Sequence, residues 1–161
     1  MKKYLPIIFI LVLIDQVTKF YIKHVFDLYE TKEIIPGFFN LTFVLNPGAA
    51  FGFLAKLNES FRQIFFIIVT TIAIIIVIYL MYKEMQHKLR AFSYALILSG
   101  AIGNFIDRIY LGSVVDFLDF YIKNYHWPAF NIADSCITVG IILLILDMII
   151  NKKGAQDANQ T

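Results

Sequence analysis

The chain has 161 residues, of which 59% are hydrophobic and only 16% charged, and its net charge is +2. A soluble domain is about 45–50% apolar and about 25% charged, so the composition argues against a soluble globule and for a membrane protein. The small net charge gives no case for a nucleic-acid partner, and the single cysteine, Cys136, excludes an intrachain disulfide and a cysteine-rich zinc site. His24, His87 and His126 lie far apart with no HExxH-like spacing, so no metal or other cofactor is expected.

A bilayer core of about 30 Å is crossed by about 20 mostly apolar helical residues. The first qualifying stretch runs from about residue 4 to 22. It contains Asp15 and Lys19, four apart and therefore on one helical face, which are expected to form an ion pair near the outer end of the helix. Lys2 and Lys3 before an apolar run resemble a signal peptide, but no small-x-small cleavage site follows. The sequence DQVTKFYIK comes instead, so a retained helix is expected.

A loop from about residue 23 to 60 follows. In it Leu41, Phe43 and Leu45 alternate with Thr42 and Val44, a period of two that predicts a strand. Pro36-Gly37 and Asn46-Pro47-Gly48 mark turns. Phe38, Phe39, Phe51 and Phe53 add aromatic surface, which suits a small sheet resting on the outer leaflet.

The second span, about 61–82, carries no charge after Arg62, and the third, about 91–111, is polar only toward its end. The fourth, about 130–150, has Asp134 near its start and Asp147 near its end, and the polar tail after Asn151 is expected to be disordered. The expected fold is thus an all-α membrane core of four transmembrane helices with a small extracytoplasmic β-sheet in the first outer loop. It forms one integral membrane domain over residues 1–161.

Orientation follows from lysine and arginine in short flanking segments. Lys2 and Lys3, then Lys83, Lys88 and Arg90, then Lys152 and Lys153 occupy three segments that four spans place on one side, expected to be the cytoplasm with both termini. The loops on the other side mix acids and bases.

Charges inside a membrane cost about 2.5–3.5 kcal/mol each on insertion scales, so each needs a reason. The third span reads SGAIGNFIDR. Ser99 and Gly103 make a small-xxx-small pair suited to close helix approach. Asn104 and Arg108 share a face, and Asp107 stacks one turn beyond Gly103. Packing and internal hydrogen bonding account for these residues, and ligand contact by Asn104 or Arg108 is the sharper alternative. The planar fork of Arg108 suits a carbonyl or phosphate oxygen.

Asp116 and Asp134 flank the connection between the third and fourth spans, which brings them near each other at the outer face, and Asp119 rivals Asp116. Asp147, about 13 residues or roughly 20 Å along the helix from Asp134, is expected near Lys152 at the other face. Ser135 and Cys136 follow Asp134, and only His126, in the loop, is placed to approach the thiol; a packed cysteine is expected.

Two close carboxylates cannot both ionise easily and so share a proton. The ionised one can take a proton from water while the protonated one polarises an amide carbonyl. Spacing alone leaves a catalytic pair and a proton or cation relay equally open. A small proton-coupled transporter needs a charge path across the bilayer, which the uncharged second span does not offer, and a non-enzymatic scaffold would tolerate loss of the aspartates.

Four stretches in order resemble the bacterial lipoprotein signal peptidases, or signal peptidase II family: DQVTK at 15–19, NPGAAFGFL at 46–54, GAIGNFIDRIYLGSVVDFLDF at 100–120 and FNIAD at 130–134. Ser99 departs from the glycine found in many members. The resemblance implies an intramembrane aspartyl endopeptidase that removes signal peptides from prolipoproteins, cutting before a diacylglyceryl-modified cysteine. It implies that Asp116 and Asp134 are catalytic, with Asn46, Asn104, Arg108, Asp119, Asn131 and Ala133 around the site and Asp15 and Lys19 as the first-helix polar motif. It further implies lipid-modified prolipoproteins, membrane lipids and globomycin-type inhibitors as partners, in a bacterial cell membrane. Phe51, Phe53 and Trp127 are expected to clamp the substrate, and Arg108 and Asn46 to hold its peptide or lipid oxygens.

Overall fold

The computed structural model describes residues 1–48 and 58–157, with side chains to residue 151; Phe51 and Phe53 lie outside the described residues. After a 3-10 turn at Lys2–Tyr4 come α1 (Leu5–Val25), β1 (Thr31–Ile35), β2 (Phe39–Asn46), α2 (Glu59–Lys83), α3 (Lys88–Leu111), β3 (Val114–Ile122), β4 (Tyr125–His126) and α4 (Ile132–Asp157). All four α-helices are long and apolar enough to cross a membrane.

Local chemistry sets their ends. A proline opens α1, where its missing N–H costs nothing. The Asn58 side chain caps α2 by accepting from the Ser60 N–H at 2.9 Å. Gly112 closes α3 at φ +69°, a left-handed conformation suited to glycine. Of the polar tail expected to be disordered, residues 158–161 lie outside the described residues, and residues 152–157 instead continue α4. No proline interrupts it, and lysine, alanine and glutamine are good helix formers.

The helices differ in their surroundings. Almost none of α2 is buried inside the protein, whereas more than half of α3 is, and α3 is also the least apolar of the four. It contacts α1, α2 and α4. Its small residues do this: a Cβ on Gly100 would strike the Ala133 carbonyl, and one on Gly140 of α4 would lie 2.7 Å from the Ser93 carbonyl. Gly103 makes the expected close approach, to Asp15 of α1 and Ala133 of α4. Its expected partner Ser99 turns inward, donating to the Ala95 and Leu96 carbonyls of its own helix at 2.8 and 2.9 Å. Small residues at these positions let backbones meet where lipid offers no hydrophobic drive.

The sheet is four-stranded, antiparallel and ordered β1-β2-β3-β4. Two of its strands, β1 and β2, lie in the first loop as expected, and β3 and β4 from the α3–α4 connection extend it. Val114–Ile122 is rich in β-branched and aromatic residues and pairs with the edge that β2 alone would leave open, with Asn46 opposite Val114 and Val44 opposite Asp116. A register shift between Leu41 and Val44 breaks the simple alternation in β2, so that Thr42 and Phe43 are both buried. Phe43 packs with Ile22 of α1, with Phe26 just past its end, and with Val115 and Phe117 of β3, which pins the sheet to the end of α1.

At the opposite end, Arg90 binds Asp147 at 2.6 Å and Glu84 at 3.2 Å. Asp147 was expected beside Lys152. The side chain of Lys152 lies outside those described, and among the described residues Asp147 is bound by Arg90 and by Asn151. Arg90 reaches it because α3 and α4 are antiparallel neighbours, so the start of one meets the far end of the other.

Candidate active site

The site is assembled from α1 outward. Lys19, 2% exposed, places its ammonium 2.9 Å from each of Asp15, Asp107 and the Asn104 side-chain oxygen. Its three donors thus meet three acceptors. The Gln16 amide nitrogen lies 3.1 Å from both Asp15 and Asp107. The expected Asp15–Lys19 pair is present, as one side of a triad with Asp107. Each carboxylate also holds backbone: Asp15 accepts from the Ala133 N–H at 2.8 Å, and Asp107 from the Val115 N–H at 3.1 Å. The buried triad therefore fixes the first turn of α4 and the start of β3, the two elements that carry Asp134 and Asp116.

Three asparagines connect these elements. Asn104, whose oxygen faces Lys19, donates to Asp134 Oδ1 at 2.7 Å. Asn131 donates to Asp116 Oδ1 at 2.7 Å, and lies 3.2 Å from both Asn104 Oδ1 and the Val115 carbonyl. Its Oδ1 accepts from the Asp134 N–H at 2.9 Å, while Asp134 Oδ2 accepts from the Asn131 N–H at 3.3 Å. This reciprocal pair is a capping box at the start of α4. Asn46 donates to Asp116 Oδ2 at 2.9 Å and accepts from the Gly48 N–H at 2.9 Å.

All four oxygens of Asp116 and Asp134 therefore receive a neutral N–H donor, and among the described residues neither forms a salt bridge. Asp116 is 2% exposed. Burial pushes its carboxyl up to about 6; the Asn46 hydrogen bond opposes that shift and the Asp134 charge adds to it. Asp134 is half-buried and faces a cleft of about 540 Å³, lined also by Trp127, Pro128, Ala129, Phe130, Ser135, Thr138 and Val139.

Other expected site residues divide. Asn46, Asn104, Asn131, Asp15, Lys19 and the Ala133 backbone belong to the network described. Arg108 sits at its edge, 5.7 Å over the Phe66 ring, donating to the Asn104 carbonyl at 3.3 Å within the fields of Asp134, Asp107 and Asp116. Asp119 is apart: it accepts from Asn40 at 2.8 Å and from His126 at 3.0 Å. His126 is thus engaged by a carboxylate, and Cys136 is a buried free cysteine. Among the described residues no three of His, Cys, Asp and Glu gather into a metal-holding group.

Sequence reasoning missed Asp107 and Gln16 as site residues. A cue was present: one cation, Lys19, for two carboxylates near the same end of neighbouring spans.

Fold and site together define a multi-pass membrane protein organised around two hydrogen-bonded carboxylates, one on a strand and one at a helix start. Residues 7–150 match the family model described as signal peptidase (SPase) II, and the chain belongs to that family of aspartic peptidases. A lipoprotein signal peptidase of Syntrophus aciditrophicus is 50% identical over 145 residues, covering 89% of this chain and 90% of that one. Another, from Francisella tularensis subsp. novicida, is 45% identical over 152 residues, 94% of each chain. Two solved structures, each titled as a bacterial membrane enzyme by the in meso method, superpose with TM-scores of 0.84 and 0.82 at 37% and 38% identity. The first covers 96% of this chain and 92% of that one, and the second 92% and 93%.

Proposed function

We propose that Asp116 and Asp134 are the catalytic pair of an endopeptidase that removes signal peptides from diacylglyceryl-modified prolipoproteins, cutting before the lipidated cysteine. The observation that carries this reading is the Asn131 side chain, which binds Asp116 through its amide and the Asp134 N–H through its oxygen, so one group sets both carboxyls. Among the described residues no cation forms a salt bridge with either, so the pair is suited to hold one proton between two acids.

The ionised carboxylate takes a proton from water as the oxygen attacks the scissile carbonyl, and the protonated carboxyl gives its proton to the carbonyl oxygen. The carboxyl that took the proton from water then gives it to the leaving nitrogen, the other carboxylate takes a proton from a hydroxyl of the gem-diol as the C–N bond breaks, and the pair is left with one proton. Asn46, Asn104 and Asn131 hold the carboxyls, Ala133 anchors the α4 turn to Asp15, and Arg108 offers its remaining donors to a peptide or lipid oxygen. Asp119 supports the sheet.

The chain acts as a single integral membrane domain with both termini in the cytoplasm and the site near the outer face. In support, Lys2, Lys3, Lys83, Lys88 and Arg90 all lie at the helix ends away from the sheet. The signal peptide and its lipid then arrive through the bilayer beside the cleft at Asp134. A globomycin-type cyclic peptide occupies the same cleft in competition with substrate.

Purified protein in detergent, with chelator present, is expected to cut a diacylglyceryl-modified prolipoprotein before the lipidated cysteine and to leave the unmodified precursor intact. Equal cleavage of both would remove the lipid from the recognition, and no cleavage of either would sink the reading.

A pH profile tests the pair from another side. The kcat/KM profile reports the free enzyme, and loss of the shared proton should give a falling limb near the value of Asp116, about 6. The Asn46 hydrogen bond favours the ionised carboxylate, so Asn46→Ala should move that limb to higher pH. A limb that stays put, or moves down, would show that Asn46 does not set Asp116.

A further inference from the structure

We infer that His126, tied to buried Asp119, is a positioning residue that holds the Trp127–Phe130 wall of the cleft and thereby governs substrate capture. The inference rests on the peptidase reading above, in which that cleft receives the substrate.

β4 has only two residues, Tyr125 and His126, and a hairpin arm so short is marginal on backbone bonds alone. The chain then enters the wall. Trp127 is tied by its N–H to the Phe120 carbonyl at 2.8 Å, and Phe130 exchanges backbone bonds with Leu118 at 2.8 and 3.1 Å. Pro128 between them has no N–H to give. The side chain of His126 strengthens this weak stretch at its start. Its Nδ1 lies 3.0 Å from both oxygens of Asp119, and its ring stacks on Tyr121 at 4.9 Å and 7°.

Both supports are themselves anchored. Asp119, 7% exposed, accepts from Asn40 of β2, and the Tyr121 hydroxyl donates to Glu33 and accepts from the Gly37 N–H. His126 therefore transmits the rigidity of β1–β3 to a wall that lies next to Asp134. It touches neither Asp116 nor Asp134, so its influence belongs to binding rather than to bond cleavage.

Trp127, the one tryptophan of the chain, makes the wall directly observable. His126→Phe keeps the stacking ring and removes the donor, and His126→Asn restores an amide donor near the position of Nδ1. In His126→Phe, the fluorescence anisotropy of Trp127, whose side chain is largely exposed, is expected to fall as the wall loosens, and the apparent KM for lipid-modified prolipoprotein to increase about tenfold, with kcat within about twofold of wild type. His126→Asn should return both toward wild type. If His126→Phe does not give monodisperse protein, His126→Gln replaces it, since its amide sits one carbon too far out to meet Asp119. Unchanged anisotropy and KM, a fall in kcat at constant KM, or no rescue by asparagine would each overturn the inference. If the wild-type protein cleaves nothing, the peptidase reading fails, while Trp127 anisotropy still decides whether His126 holds the wall.

Discussion

Asp116→Asn and Asp134→Asn are each expected to give folded protein that no longer processes lipid-modified prolipoprotein, with single-turnover rates lowered at least about 10²–10⁴-fold, the scale of a lost general acid or base. Asparagine keeps the size of the side chain and one oxygen. At 116 that oxygen can still accept from Asn131 or Asn46, though the new amide must face the other donor. At 134 it can accept from Asn104, and the cost is half of the capping box, about 1 kcal/mol of stability. Neither change prevents folding, so lost activity reports lost ionisation. The two groups act as a unit, so the double variant should be little worse than either single one. A variant cleaving at near wild-type rate would free that aspartate from the chemistry.

The pH dependence of stability offers a separate check on Asp116. Its folded value of about 6 stands above the usual 3.8, so between those values the folded state binds a proton that the unfolded chain has released. Stability from this group is greatest below pH 3.8 and is lost as pH rises to about 6. That slope should vanish in Asp116→Asn.

Lys19→Met is expected to be the most destabilising single change, by about 3–5 kcal/mol, because it leaves buried carboxylates without their cation. Asp15 and Asp107, 1% and 4% exposed, then face each other, and Asn104 loses the charge against which its oxygen is set. Asp107→Asn should be far milder: it leaves the Asp15–Lys19 pair balanced, and its amide oxygen can still accept from the Val115 N–H. Thermal unfolding in one detergent orders the variants. If Asp107→Asn proves as damaging as Lys19→Met, the triad is not organised around its cation.

The four helices were legible because long apolar runs need no tertiary information to be read. The Asp15–Lys19 pair was legible because a helix puts residues four apart side by side. The second acceptor of Lys19 was not, since Asp107 reaches it from another helix. The same holds for Arg90 and Asp147, whose meeting depends on the antiparallel packing of α3 and α4. Asp116 and Asp119 were indistinguishable while their segment was treated as a connection. Once Val114–Ile122 is a strand, three residues of separation put their side chains on opposite faces. One face meets Asn46 and Asn131, and the other meets Asn40 and His126. The asparagines escape periodicity arguments altogether, because an amide that both donates and accepts acquires its role only from the groups brought around it.

The poor apolarity of α3 bears on biogenesis. A helix carrying Asn104, Asp107 and Arg108 partitions reluctantly into lipid, at a cost of about 2.5–3.5 kcal/mol for each charge. It becomes comfortable only when α1 supplies Lys19 and α4 supplies the backbone that its glycines admit. Following α1 in the chain, α3 therefore enters the bilayer as the guest of a helix already there, whose Lys19 is until then paired with Asp15 alone and has its two other donors open to Asp107 and Asn104. The polar centre proposed for hydrolysis thus also gives α3, through the same contacts, a reason to leave the insertion machinery beside α1 rather than alone.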